Sequence, residues 1–561
     1  MSDSAAHQHG QHEQHEQHEP SVIERANAWI ADDPDPACRA ELRAVLADLP
    51  ESSADLADRF AGRLRFGTAG LRGPLRAGPN GMNLAVVTAT TAGLVSWLAD
   101  QVASGPVVVG YDARHGSASF AARVARVVTG AGREALLLPR ALPTPVLAAA
   151  VRRLDAVAGI MITASHNPPR DNGYKVYLGA RLAGEVGAGA QLVSPADAEI
   201  EAAITALGRL SAVPLGPEGT VLDEEAVTRY LTSAVRLVTP GQLTVAYTPL
   251  HGVGGQTFVS ALLLAGFPEP HVVGEQFEPD PRFPTVDFPN PEEPGAMDLL
   301  LALAAERGTD LAIANATDAD RCAVAVPDPA AGRWRVLRGD ELGVLLADHL
   351  IRRGVHGTYA TTIVSSSLLA KVCAARGVRY GETLTGFKWI VRAAKDLAYG
   401  YEEALGFCVE PELVRDKDGI TAALLACDLA VELAKNGATL LDRLDELAVE
   451  FGVHATDQLS VRVAELSEIT TAMAGIRRKP PVALLGEPVT ALVDLLPEAD
   501  VVTVRTAGAR VVVRPSGTEP KLKAYLEVVE PVRDGDVTAA RARAGSRLAA
   551  LRAETASALG L

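Results

Sequence analysis

At 561 residues the chain exceeds one domain, and 48% hydrophobic with 22% charged residues describes an ordinary globular protein with ample core. The net charge of -16 argues against a nucleic-acid binder, because phosphate backbones demand surplus Lys and Arg; small phosphorylated ligands need only a local cationic pocket. Five cysteines without a CxxC pair fit reduced thiols, no apolar run reaches the ~18 residues of a membrane span, and no signal-peptide core is present, so a cytoplasmic protein with no membrane partner is expected.

The opening "HQHGQHEQHEQHE" sets His7, His9, His12, His15 and His18 among Gln and Glu. His-rich tracts can bind metal, but the composition favours a solvated tail, and residues 1–20 are read as disordered. Short apolar runs then recur at 106–112, 134–139, 156–163, 243–250, 310–318 and 511–517, with helical stretches at 119–132 and 257–267 between them. Beta-alpha alternation of this kind predicts largely parallel sheets covered by helices, with ligands collected at the loops beyond the strands' carboxyl ends. Segments 215–227 and 325–334 read as connectors, and 448–460 as the opening of a more β-like C-terminal part.

Five stretches carry chemistry, each beside a plainer alternative. "ITASHNPP" (162–169) puts Ser165 and His166 on a proline-stiffened loop after a buried strand, where a serine is either a cap or a held nucleophile. No Gly-x-Ser-x-Gly elbow is present, so the esterase reading is weak. "NATDADRC" (315–322) brings Asp318 and Asp320 two residues apart in a loop, which suits Mg²⁺, with Arg321 alongside for a phosphoryl group; the alternative is a solvated acidic loop. Cys322 reads as packing. "RPSGTEPKLKAY" (514–525) offers Arg514, Ser516, Gly517 and Thr518 as phosphate donors, against an ordinary turn. "RFGTAGLRG" (65–73) is a glycine-rich turn flanked by Arg65 and Arg72. "GYEEALGF" (400–407) places Glu402 and Glu403 in a glycine-bracketed loop, able to accept from sugar hydroxyls or simply exposed. Lysine is scarce in a chain that prefers arginine, yet Lys175, Lys388, Lys417, Lys521 and Lys523 fall in or beside these loops; Lys388 is the one singled out for proton transfer.

Taken together, the five stretches, which run from residue 65 to residue 525 in the family's order, resemble the α-D-phosphohexomutase family of phosphoglucomutases and phosphomannomutases. "FGTAGLRG", "PPRDNGYKVY", "GYEEALGF" and "DKDG" look most like the branch with phosphopentomutases and glucose-1,6-bisphosphate synthases. The resemblance implies that Ser165 carries the phosphoryl group with His166 beside it, that Arg72 faces it, and that Lys388 does acid–base work. Ser165, Asp318 and Asp320 would hold Mg²⁺. Glu402 and Glu403 would meet the sugar; Arg514, Ser516, Gly517, Thr518, Lys523 and Arg321 would bind its phosphates. The implied fold is α/β, with four domains around a central cleft: three α/β domains with mixed sheets, and a C-terminal α+β domain like the TATA-binding protein. Boundaries are expected at 21–222, 223–331, 332–446 and 447–561. The implied activity interconverts hexose 1- and 6-phosphates of glucose or mannose, a small-molecule sugar phosphate being the partner and glucose 1,6-bisphosphate the intermediate or activator. A phosphopentomutase, a glucose-1,6-bisphosphate synthase or a non-catalytic sugar-phosphate-binding protein are the alternatives. Two departures from the family stand out: Ala316 replaces an aspartate of the metal loop, leaving its position to Asn315, Thr317 or water, and Ala404 replaces a serine of the sugar loop.

Overall fold

Residues Ala158–Ile162 form a strand in which all five side chains are buried, as a strand covered on both faces requires. The computed structural model that shows this describes residues 20–559 except 67–69, 464 and 517–520; the His-rich tail, Gly517 and Thr518 lie outside the described residues. In the first sheet, Val107–Tyr111 runs parallel to both Ala158–Ile162 and Ala135–Leu137, and Ala135–Leu137 runs parallel to Thr220–Val221. On the other side Asp171–Leu178 returns antiparallel to Ala158–Ile162, and Leu71–Pro74 adds to it, again antiparallel. The sheet is therefore mixed, because the chain reverses directly after the serine loop instead of crossing over through a helix.

The second sheet repeats the pattern. Leu311–Asn315 runs parallel to Val245–Thr248, and the antiparallel pair Cys322–Asp328 and Arg333–Val336 follows. The third sets Thr358–Thr362 parallel to Arg379–Thr383 and Leu397–Glu402, with Gly406–Cys408 antiparallel at one edge. One buried apolar cluster runs through all three units, from Val108 to Leu447. Helices Leu84–Asp100 and Gly419–Ala434 are buried almost all round, as their near-continuous apolar sequences demand, and each has a side-chain N-cap, from Asn83 and Asp418. The last unit is a five-stranded, wholly antiparallel sheet in the order Val453–Arg462, Lys521–Glu530, Ala509–Pro515, Val502–Arg505, Ala491–Asp494, with helices Leu466–Arg478 and Val537–Ala558. It has its own core. The architecture is thus three α/β domains with mixed sheets and a C-terminal α+β domain.

Three readings of the sequence change. Segment 215–227 is not a plain connector: it contributes the edge strand Thr220–Val221 and the start of helix Glu225–Ala234. Segment 325–334 is the turn of a β-hairpin, so the second sheet extends past the expected boundary at 331 to Val336. The boundary expected at 446 falls inside helix Leu440–Phe451.

Candidate active site

The strand Ala158–Ile162 delivers the serine loop, and Ser165 takes φ 53°, in the left-handed region. A non-glycine residue there is uncommon and marks a conformation imposed by its surroundings. Thr163 Oγ1 accepts from Ser165 N at 2.9 Å, and Thr317 Oγ1 donates to the Ser165 carbonyl at 2.5 Å. Ser165 Oγ donates to Asp318 Oδ1 at 3.1 Å and lies 3.3 Å from His166 Nδ1. Burial, with Arg321 and Arg72 adding their charge, pushes the His166 ring well below its ordinary range, so it is neutral.

Asp318 and Asp320 arrive on the turn after Leu311–Asn315, and both are buried. Asp318 Oδ2 accepts from Thr144 Oγ1 at 3.0 Å, at the start of a first-domain helix, and from Lys175 Nζ at 2.8 Å. Lys175 reaches Asp320 Oδ2 as well, at 3.1 Å, and Lys417 Nζ stands 3.5 Å from the same oxygen. Burial alone would raise the Asp320 carboxyl, but Lys175, Lys417 and Arg321 outweigh it and hold the group well below the usual carboxylate range. The acidic loop is therefore enclosed by cations and not solvated.

The pair suits a hard divalent cation: two carboxylates stand beside a serine oxygen, and Asp320 Oδ1 carries no hydrogen bond. The set is reduced, however. Ala316 is fully buried and offers no donor, and among the described residues no three His, Cys, Asp or Glu side chains gather as a metal centre. Neither neighbour fills the gap. Asn315 Oδ1 accepts from Tyr247 and its Nδ2 donates to the Arg321 carbonyl, while Thr317 is turned to Ser165.

The segment carrying Glu402 and Glu403 departs from the glycine-bracketed loop expected. Glu402 is the last residue of strand Leu397–Glu402 and is buried, and the hairpin to Gly406–Cys408 closes against the metal loop through an Arg321–Gly406 bridge. A Cβ on Gly406 would lie 2.5 Å from Lys417 Cδ, so only glycine lets this hairpin approach. Burial raises the Glu402 carboxyl; burial, then Glu402 and Asp340, push Glu403 up to about 8. Arg321 links the two regions: it lies 3.9 Å from Asp320 and 3.7 Å from Glu292 of its own domain, bridges to Gly406 and feels the charge of Glu402. Arg514 and Lys523 are cross-strand partners at the base of the last domain's hairpin, and Arg514 hydrogen-bonds Tyr525, whose hydroxyl feels Glu403 and Glu402. Ser516 N donates to the Lys521 carbonyl, closing the hairpin.

Arg72, on strand Leu71–Pro74, donates to Asn167 Oδ1 at 3.3 Å and faces Asp318 and Asp320, while burial lowers its pKa. Lys388 is not brought into this group. Its ammonium lies 5.9 Å over the Trp389 ring and its charged neighbours are Asp197 and Arg392. The lysines at the carboxylates are Lys175 and Lys417. Their sequence signals are their scarcity and their place in "PPRDNGYKVY" and "DKDG"; Thr144 and Glu292 gave none, because neither lies in one of the chemistry-bearing stretches.

A serine loop, a carboxylate loop, an acidic hairpin and a cationic hairpin, one from each of four domains, converge here on a four-domain α/β fold. Phosphoglucomutase/phosphomannomutase family models match in order, alpha/beta/alpha domains I (63–209), II (225–331) and III (338–449) and the C-terminal domain (459–544). The chain belongs to the phosphoglucomutase/phosphomannomutase family. It is 44% identical to a Haemophilus influenzae protein named "Probable phosphomannomutase", over 80% of this chain and 93% of the relative. It is 31% identical to the phosphopentomutase of Mus musculus, over 91% of this chain and 90% of that protein. A Burkholderia thailandensis protein of the phosphoglucomutase/phosphomannomutase family shares the fold with a TM-score of 0.68, at 19% identity over 88% of this chain and 97% of that one. Among the described residues no helix is long and apolar enough to cross a membrane.

Proposed function

We propose that this intramolecular phosphotransferase interconverts hexose 1-phosphate and hexose 6-phosphate, of glucose or mannose, through phosphorylated Ser165 and a sugar 1,6-bisphosphate. The observation that carries the reading is Ser165 Oγ at 3.1 Å from Asp318 in a left-handed turn, ringed by cations, in a chain that matches the family in all four domains.

In the forward half the bond from phosphorus to Ser165 Oγ breaks and a bond to the free sugar hydroxyl forms. The hydroxyl's proton leaves and Ser165 Oγ gains one; the neutral His166 ring, with Nδ1 at 3.3 Å, is placed to hold it. Asp318, Asp320 and Ser165 would hold Mg²⁺, which when bound supplies positive charge to the phosphoryl oxygens. Arg72, Lys175 and Lys417 stabilise the same charge from the protein side. Arg514, Lys523 and Ser516, with Gly517 and Thr518 that follow Ser516 in sequence, grip the phosphate that is not reacting, and Arg321 spans the two ends. Glu402 and Glu403 meet the sugar hydroxyls between them. Reorientation of the bisphosphate presents its other phosphate to Ser165, and the reverse transfer completes the mutase cycle. By this reading the four domains fall at 21–222, 223–336, 337–451 and 452–561, the boundaries expected at 331 and 446 moving to the ends of strand Arg333–Val336 and helix Leu440–Phe451.

The phosphopentomutase relative supports a second substrate, a pentose phosphate, on the same machinery. The test is turnover of glucose, mannose and ribose phosphates with catalytic glucose 1,6-bisphosphate, beside the intact mass of the purified protein. Hexose turnover and one phosphoryl group on the chain are expected. Ribose phosphate as the preferred substrate overturns the hexose reading, and no turnover with an unphosphorylated chain overturns the mutase reading.

A further inference from the structure

We propose that Arg114 is a positioning residue for the nucleophile: its guanidinium gathers the carbonyls of loop 165–171 and so holds Ser165 in its left-handed turn, facing Asp318. The inference rests on Ser165 being the phosphoryl carrier.

Strand Val107–Tyr111 lies parallel to Ala158–Ile162 with Tyr111 opposite Ile162, so the loops that follow emerge side by side. Arg114 comes three residues later, its side chain 1% exposed. One terminal nitrogen donates to the Ser165 carbonyl at 2.5 Å and to that of Asn167 at 2.6 Å; the other reaches Pro168 at 2.8 Å and Asp171 at 3.2 Å. Asp112 stands beneath, its Oδ1 accepting from Arg114 N at 3.0 Å and from Ser117 Oγ at 2.6 Å, its Oδ2 3.4 Å from Arg114 Nε. The ring of Phe283, buried and from the second domain, covers the guanidinium at 5.0 Å.

The arrangement answers a local shortage. Pro168 and Pro169 have no N–H, so this loop has few donors of its own, while its carbonyls converge on one guanidinium, that of Ser165 buried and those of Asn167, Pro168 and Asp171 half-buried. A planar guanidinium supplies a fixed fan of donors across several acceptors; an ammonium is a compact point that cannot span them. The Ser165 carbonyl has two partners, Arg114 and Thr317, and its direction fixes the backbone twist that aims Oγ. Phe283 ties the clamp to the domain that carries Asp318 and Asp320. Loss of the clamp frees the twist and moves Oγ off Asp318, while the sugar loop and cationic hairpin that bind substrate stay in place.

The test compares wild type with Arg114→Lys and Phe283→Leu in the full chain, reading kcat, KM, thermal midpoint and hydrogen exchange of peptides over 163–171. Arg114→Lys should lower kcat by about 100-fold with KM within about threefold, since a misplacement near 1 Å costs about that factor. Loss of exchange protection should be confined to 163–171, and Phe283→Leu should show the same pattern more weakly. Added guanidinium should return part of the activity to Arg114→Ala. Unchanged kcat and protection in Arg114→Lys overturn the proposal, as does a loss of protection spread over the whole chain. If Arg114→Lys does not fold, Phe283→Leu decides on the same two readouts. If wild type turns over no sugar phosphate, the mutase reading fails, and the exchange pattern still decides whether Arg114 holds the loop.

Discussion

Lys175 Nζ stands 2.8 Å from Asp318 Oδ2, with both side chains essentially sealed from solvent. The lysine comes from strand Asp171–Leu178, opposite Met161, and its sheet face also sends Tyr177 to Asp416. A buried ammonium in the middle of a sheet is tolerated here because it answers two carboxylates at once. Lys175→Met should therefore destabilise the protein by about 3–5 kcal/mol, the cost of leaving buried charge unpaired. Added Mg²⁺ should recover part of that loss, so the rise in thermal midpoint on adding Mg²⁺ should be larger in the variant than in wild type. Equal rises would show that the ammonium and a cation do not share these carboxylates.

Ser165→Ala should leave the thermal midpoint within a few degrees and abolish mutase turnover, because Ser165 carries the hydroxyl of its loop that meets Asp318 Oδ1, while Thr144 and Lys175 are engaged with the other oxygen, Oδ2. Intact mass should show the phosphoryl group of wild type missing from the variant. A folded Ser165→Ala protein with near-normal kcat would remove Ser165 from the mechanism.

How far the sequence told this in advance depended on whether the signal was local. The run at 158–162 reads as a buried strand because five apolar residues need no tertiary context, and the serine, aspartate and arginine loops follow their strands at positions the sequence shows. The hairpin at 325–334 was missed because Pro327, Pro329 and Gly332 are turn chemistry whether or not strands flank them. Glu402 read as loop because two glutamates oppose a strand assignment; burial against Lys417 and Arg321, from distant segments, overrides that propensity. Lys388 drew the acid–base expectation from its motif, whereas the choice among scarce lysines rests on which strand face each occupies, and that only the fold shows.

Lys417 and Lys388 should accordingly separate in kinetics. Lys417 Nζ touches Asp320 and Asp416 and lies 5.2 Å over the Phe387 ring, while Lys388 faces Asp197. Lys417→Met should lower kcat by ~100-fold or more, the scale of a lost charge or proton-transfer contact at the reacting centre. Lys388→Met should change it by less than about tenfold by the same scale. Measured kcat values in the reverse order would return the acid–base role to Lys388.

Glu403 supplies a pH dependence. Burial, then the charges of Glu402 and Asp340, push its carboxyl up to about 8 from the ordinary 4.5. Between those values the unfolded chain has released a proton that the folded chain still holds, so the folded state binds more protons and stability falls as pH rises across the window. Glu403→Gln removes that contribution. Its thermal midpoint should match wild type near pH 4.5 and exceed it progressively toward pH 8. Parallel midpoint curves for the two proteins would mean that Glu403 ionises normally in the fold.

The strongest departure from the family is Ala316, and it gives the sharpest test of the carboxylate loop. Its side chain is fully buried one turn before Asp318, Asn315 and Thr317 are engaged elsewhere, and two lysines already stand at the remaining carboxylates. A divalent cation here meets two anionic ligands in competition with two ammonium groups, though Mg²⁺ accepts water at the other octahedral positions. The enzyme should be active with a high Mg²⁺ requirement, and chelation should remove its activity reversibly. Ala316→Asp adds a third carboxylate, and the Mg²⁺ concentration for half-maximal activity should fall by about tenfold, the equivalent of one favourable charge contact of ~1.4 kcal/mol. The opposing effect is like-charge repulsion from Asp318 and Asp320, which raises the new carboxyl's pKa and costs stability without metal. The two effects are separable: repulsion lowers the metal-free thermal midpoint, while ligation raises the midpoint on adding Mg²⁺. Titration of activity and of thermal midpoint with Mg²⁺, for both proteins under identical substrate, reads both. A half-saturating Mg²⁺ that stays the same or rises in Ala316→Asp would show that the loop does not lack a ligand at this position.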